Sequence, residues 1–267
     1  MSGRPPGRGR GGGAGGSAPR ATERGAQTRS RRSMTPAAVW LIAFSAAMGL
    51  VLGVFDSELF AVRSVLVDSA DESLAAEAAE RAEQLSFGTI WLPPMREIES
   101  LIGGLPRAKT VQVERDLPST LKIVVQPRSP VAVVHGEDRL MVIDEDGACM
   151  HWTGSAPEGL PQVRIESPSS LRVGGRLSRR DVEMLNAVRS GFAETGRLDG
   201  ARIDLSRPVR IEVWTADGVL GKLGNPEMLP EKALLFGKLL ETLEEQGEAP
   251  LYIDLRVPSR PTYKRVD

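Results

Sequence analysis

Between Ala37 and Phe55 the chain runs nineteen residues without a charge, AAVWLIAFSAAMGLVLGVF. At about 1.5 Å per residue, a helix of that length just crosses a hydrocarbon layer of roughly 30 Å. It is the only such stretch in the 267 residues, so the sequence predicts a single membrane crossing at 37–55. Arg29, Arg31 and Arg32 precede it and Asp56 and Glu58 follow, which places the amino end in the cytoplasm and the remainder outside. A cleaved signal peptide begins the same way, but here the basic stretch is long and no A-x-A site follows Phe55 closely. Trp40 is positioned to rest among headgroups at the cytoplasmic end. Gly49 and Gly53 form a G-x-x-x-G that allows weak self-association of two such helices.

Charge divides the chain at the same place. Residues 1–36 carry eight arginines against Glu23 alone, whereas the rest has a net charge of −8. The tail is rich in glycine, lacks apolar periodicity and is predicted to be disordered. Its G-x-G-x-x-G match at Gly7, Gly9 and Gly12 has neither a strand before it nor a helix after it, so it is no nucleotide site. An acidic outer part is a poor surface for nucleic-acid phosphates. The single cysteine, Cys149, excludes an internal disulfide framework.

Beyond Leu59 the pattern alternates. Val62–Val67 reads as a strand, and Leu74–Leu85 as a helix capped by Asp71 or Ser73. Met95–Ile102 reads as a second helix, opened by Pro93 and Pro94 and stopped by Gly103 and Gly104. Two alternating strands follow, through Val111 and Val113 and then Leu121, Ile123 and Val125, with a turn at Asp116–Ser119. Further on, VRIEVWTADGVLGKLG reads as two strands around Ala216, Asp217 and Gly218. Pro230–Gln246 is an amphipathic helix with Leu234, Leu235, Leu239, Leu240 and Leu243 on one face.

Chemistry-bearing patterns are sparse. Ser119 and Lys122 make an S-x-x-K, but in a turn and strand, where residues three apart point to opposite faces. His135 and His151 flank a predicted hairpin, and with Asp144 or Asp146 they suggest a metal site only weakly, because no spacing fixes a ligand set. The run Asp144, Glu145, Asp146, Gly147 is half a calcium loop without the closing glutamate, and reads as a solvated hairpin turn. No catalytic, cofactor or metal site is predicted.

The run VQVERDLPSTLKIVVQPRSPVAVV resembles the end of a POTRA domain in the FtsQ/DivIB family of bacterial cell-division proteins. Its matching positions are Val111, Val113, Arg115, Leu117, Pro118, Thr120, Leu121, Ile123, Val125, Arg128, Pro130, Val131 and Ala132. LFAVRSVLV just after the anchor, MVIDEDGACM, the Leu160-Pro161 step and YIDLR at 252–256 are also similar to family segments. Two positions depart from it: Pro127 stands where the family usually has a glutamate, and Pro261 interrupts a terminal strand expected at Ser259–Val266.

The resemblance implies an α+β protein. A disordered tail (1–36) and membrane helix (37–55) would be followed by a β-α-α-β-β POTRA domain (60–130). A β-rich domain (131–267) with helices on one face would complete it. It further implies a non-enzymatic scaffold at the division septum of the cytoplasmic membrane, without cofactor. Its partners would be proteins of the FtsB/DivIC and FtsL type, bound by strand addition. Tyr252, Asp254, Arg256, Val257, Ser259, Tyr263 and Val266 are the candidate partner-binding residues. Within that segment, alternation predicts Leu251, Ile253, Leu255 and Val257 toward the core. The rival functions are an envelope-assembly protein built on POTRA units and an anchored envelope enzyme.

Overall fold

The computed structural model describes residues 35–55 and 57–265. The basic tail up to residue 34 lies outside the described residues, as does Val266. Helix α1 spans Pro36–Phe55 and is, among the described residues, the one helix long and apolar enough to cross a membrane. Trp40, Leu41, Phe44 and Leu50 are exposed along it, and nothing lies within 4 Å of a Cβ built on Gly49 or Gly53. Such an apolar surface is stable only against lipid or another helix.

The next elements follow the expected β-α-α-β-β order: β1 (Ser64–Asp68), α2 (Glu72–Ala82), α3 (Met95–Leu101), β2 (Ala108–Asp116) and β3 (Thr120–Pro127). They form a three-stranded sheet in the order β1-β3-β2, with β1 parallel and β2 antiparallel to β3. Of the two proposed caps for α2 the structure uses Asp71, whose Oδ1 accepts from the Leu74 amide at 3.1 Å. Such a cap contributes about 1 kcal/mol. Hydrogen bonds from the Ser73 hydroxyl and the Leu74 amide hold the Asp71 carboxyl below its ordinary pKa, and Arg107 pairs with it. Leu74 and Ala78 of α2 and Ile98 of α3 pack on Ile123 and Val125 of β3. Alternation along β3 therefore delivers alternate residues to this core.

The remaining strands are β4 (Pro130–His135), β5 (Leu140–Asp144), β6 (Cys149–Thr153), β7 (Gln162–Arg164), β8 (Arg202–Asp204), β9 (Ile211–Trp214), β10 (Leu220–Gly224), β11 (Pro250–Asp254) and β12 (Thr262–Arg265). They form one nine-stranded sheet in the order β12-β11-β10-β9-β8-β7-β4-β5-β6. Helix α4 (Arg179–Phe192) joins the parallel pair β7 and β8, and α5 (Leu229–Glu245) joins the parallel pair β10 and β11. Both helices pack into one core on one face of the sheet. Sequence reading misses α4. Its signals are Ser178, which caps the Asp181 amide at 3.1 Å while donating to the Asp181 carboxylate, and the buried stripe Met184, Leu185, Val188 and Phe192.

The two helices approach closely because each carries a glycine at the crossing. A Cβ on Gly191 would lie 2.3 Å from the Pro230 carbonyl oxygen, and one on Gly237 would lie 2.5 Å from Thr195 Oγ1. The rings of Phe192 and Phe236 then meet edge to face, with centroids 5.8 Å apart. The buried face of α5 runs through Leu229, Ala233, Phe236, Leu240 and Leu243. Leu234, Leu235 and Leu239, expected on the same face as Leu240 and Leu243, are only partly buried, because Gly237 and Ala233 bring α4 to the neighbouring stripe.

Only Arg128 and Ser129 separate β3 from β4. Arg128 donates to Asp144 at 2.5 Å, and its backbone amide donates to the Arg107 carbonyl at 2.8 Å. Asp144 is 2% exposed and also accepts from the amides of Asp146 and Ala148. The acidic turn is thus not simply a solvated hairpin turn. A buried carboxylate needs a cation and several donors to be tolerated, and all are present. Lys109 adds a pair to Glu145 at 2.5 Å, so β2 is tied to the same turn. This use of Asp144 leaves it unavailable to His135, which instead contacts Gln162 at 3.1 Å. Likewise Lys122, of the S-x-x-K, pairs with Asp68 at 3.0 Å.

Candidate functional site

An edge strand has unpaired backbone groups that must be satisfied by water or another chain. The large sheet has two such edges, and the chain treats them differently. Outside β6 runs the segment around Gly174–Leu177. The Cys149 amide donates to the Gly175 carbonyl at 2.9 Å, and the Gly174 amide donates to the Cys149 carbonyl at 2.8 Å. An isolated bridge joins Ala148 to Arg176, and the Leu177 amide donates to the Gly147 carbonyl at 2.9 Å. Gly147 permits this turn by its positive φ of 72°. At the other end, β12 pairs with β11 alone among the described residues, and all four of its residues are exposed.

Local sequence explains where β12 begins. Pro258 and Pro261 cannot donate to a ladder, so Val257–Arg260 forms a turn, closed by the Arg260 amide on the Val257 carbonyl at 3.0 Å. The strand starts at Thr262 rather than at the expected Ser259. Val257 and Ser259 therefore lie in the connection and not on the ladder. Val257 is 57% exposed and Leu251 48% exposed, so both leave the core to which alternation assigned them. Ile253 and Leu255 do enter it. Leu251 fails because the β11–β12 register shifts between Pro250 and Tyr252.

The proposed side chains fall on two faces. On the face away from the helices, Tyr252 lies beneath the Lys222 ammonium, 3.6 Å from its ring centroid, a cation–π contact. Beside it Arg256 grips Asp254, with Nη2 donating to Oδ2 at 2.6 Å and Nε donating to Oδ1 at 3.0 Å. These hydrogen bonds hold the Asp254 carboxyl below the usual carboxylate range and raise the Arg256 guanidinium. On the helix side Tyr263 stands opposite Ile253, and its hydroxyl donates to Glu248 at 2.8 Å. Arg265 pairs with the same glutamate. Tyr263 also walls an apolar cavity of about 270 Å³ with Leu239, Leu243 and Ile253, opening beside the free edge.

The structure thus joins Tyr252, Asp254 and Arg256 in one polar cluster and sets Tyr263 apart on the helix side, over an apolar groove. Lys222 and Glu248 complete the two groups and are not apparent from the sequence, because each comes from a neighbouring element brought alongside only by the fold. Nothing in this arrangement combines a nucleophile with a base. What it offers is backbone hydrogen-bonding capacity flanked by an apolar slot and a charged face.

The family model described as cell division protein FtsQ/DivIB, C-terminal, matches residues 132–256. The chain is 28% identical over 254 residues to the cell division protein FtsQ of Mycolicibacterium smegmatis, covering 93% of this chain and 68% of that protein. It is 34% identical over 80 residues to the FtsQ of Streptomyces bingchenggensis, covering 29% of this chain and 30% of that one. Among solved structures, the major extracytoplasmic domain of the division protein DivIB from Geobacillus stearothermophilus aligns with a TM-score of 0.31 and 16% identity. That alignment covers 44% of this chain and 95% of that one.

Proposed function

We propose that the chain, which matches the FtsQ/DivIB family over residues 132–256, is a non-enzymatic scaffold of the division machinery that recruits its partners by strand addition at β12. The partners are membrane-anchored division proteins of the FtsB/DivIC and FtsL type. An incoming segment would pair with the outward N–H and C=O groups of residues 262–265 and place an apolar side chain in the slot beside Tyr263. Arg256 and Asp254 would read its charge from the opposite face. Residues 60–130 and 131–267 serve as the two exported domains, α1 holds them to the cytoplasmic membrane with the amino end inside, and the complex works at the septum.

One observation carries this reading: residues 174–177 cover the start of the β6 edge at Gly147–Cys149, whereas none of the described residues pairs outside β12, whose four residues are all exposed. A fold able to close an edge that leaves another bare, beside an apolar slot, has a surface suited to a second polypeptide. The test is to add the extracytoplasmic segment of such a partner to the full chain in lipid nanodiscs and follow amide exchange. Protection should appear at residues 262–265. Protection elsewhere, with β12 unchanged, would overturn the mode of binding. Tyr263→Lys, which keeps a partner for Glu248 but removes the ring, should weaken capture about tenfold, near 1.4 kcal/mol. Unaltered affinity would count against this surface.

A further inference from the structure

We infer that one end of the three-stranded unit rests on the outer leaflet of the membrane, with Leu59, Leu92 and Leu117 dipping into the interface. The inference rests on α1 spanning the bilayer as proposed above. These leucines are among the most exposed large apolar side chains outside α1, at 64%, 80% and 55%. They come from three separate segments, yet backbone hydrogen bonds fasten all three segments together. The Ile90 amide donates to the Phe60 carbonyl at 2.8 Å, and the Val62 amide donates to the Gly88 carbonyl at 2.9 Å, which binds the Leu92 loop to the segment carrying Leu59. The Arg63 amide donates to the Ser119 carbonyl at 2.9 Å, which binds in the turn carrying Leu117. Arg115 Nε, at the end of β2, donates to the Ile90 carbonyl at 2.9 Å and ties that turn's strand back to the same loop.

Chain continuity identifies the occupant. Leu59 follows the last residue of α1, Phe55, by four positions. At no more than about 3.6 Å per residue, it lies within roughly 14 Å of the point where the helix leaves the hydrocarbon. Residues 60–63 lie within about 18–29 Å of that point by the same rule, so the segments hydrogen-bonded to them are also held near the bilayer surface. Lipid is therefore the apolar phase within reach of the three leucines. Phe60 and Trp91, 5.2 Å apart by centroid, stand behind them, and aromatic rings of this kind favour the headgroup region. Leu92 closes a turn, its amide donating to the Thr89 carbonyl at 3.2 Å, and Pro93 restricts its backbone further, so the most exposed of the three is held in place at little conformational cost. Arg63 and Arg115 stand against Asp56, Glu58 and Asp116, which leaves no excess of positive charge, so the contact rests on apolar insertion rather than on attraction to anionic lipid.

The experiment uses the full chain with single cysteines, Leu59→Cys, Leu92→Cys, Leu117→Cys, Met48→Cys or Val209→Cys, each carrying an environment-sensitive fluorophore. Cys149 is buried and stays unlabelled. In vesicles of phosphatidylcholine and phosphatidylglycerol with a nitroxide lipid labelled near the headgroup, the three loop positions should be quenched about threefold more than Val209. Val209 is equally bare at 80% exposure but lies in the nine-stranded unit. Quenching at Met48 with none beyond the Val209 level at Leu92 and Leu117 overturns this inference alone. Loss of quenching at Met48 as well overturns the membrane-spanning reading and this one with it.

Discussion

The edge outside β6 and the edge at β12 belong to one sheet but follow opposite rules. Outside β6 residues 174–177 bond back to Gly147, Ala148 and Cys149 and cover the first residue of the strand. At β12 it stops pairing, and the last described residues, Thr262–Arg265, face solvent. Natural sheets avoid bare edges because they nucleate aggregation. The difference teaches that openness at β12 is a local property, made by Pro258, Pro261 and a strand four residues long, and not a general looseness of the domain.

The contrast can be broken most forcefully at its closed side. Asp144 holds the amides that begin β6 and neutralises Arg128, which is 12% exposed at its side chain. Asp144→Ala should cost about 3–5 kcal/mol, since it leaves a largely buried cation with only the more distant Asp146, at 3.8 Å. Urea unfolding of the detergent-solubilised chain, followed by near-ultraviolet circular dichroism, reads the loss. Gly147→Ala should cost less, about 1–3 kcal/mol, because its φ is 72° and a Cβ would meet Val182 at 2.3 Å. Its signature is faster amide exchange at Cys149 and Gly174 with exchange at β12 unchanged; equal acceleration at both edges would show that they are not independent.

On the open side the effects are smaller. Tyr263→Phe removes the hydroxyl's bond to Glu248 and its longer bond from Arg265 at 3.3 Å, and should reduce stability by about 0.5 kcal/mol while leaving partner affinity intact. A large loss of affinity would show that the hydroxyl, and not the ring, is read. Smallest is the pH response of the Asp254–Arg256 pair. Its carboxyl is lowered in the fold, so the stabilisation is complete above the unfolded value near about 3.9 and disappears as pH falls through the lower folded value. The side-chain carbon shift of Asp254, titrated from pH 6 to 2, should report that low midpoint.

Much of this architecture is legible in the sequence where a local rule acts alone. The apolar run of α1, the cap at Asp71, the alternation of β3 and the turn at Gly218 each depend on residues near one another in the chain. What escapes depends on distant partners. Helix α4 is hidden because Arg179, Arg180, Asp181 and Glu183 crowd its first turns, and Asn186, Ser190 and Gly191 are poor helix formers. Strands β7 and β8, of three residues each, carry too little alternation to be seen. At the candidate site, Ile253 and Leu255 follow simple alternation, whereas Leu251 and Val257 obey a register shift and a proline turn instead. The cover over the start of β6 leaves no trace in local pattern, since the covering segment lies some twenty-five residues downstream.

The junction at Arg128 has a mechanical consequence. With two residues between β3 and β4, and the first of them locked to a buried carboxylate on the far sheet, there is no soft hinge to take up slack. A pull exerted on β12 would be passed onward to the three-stranded unit almost undamped, making the two sheets together a stiff transmitter of tension and not a shock absorber.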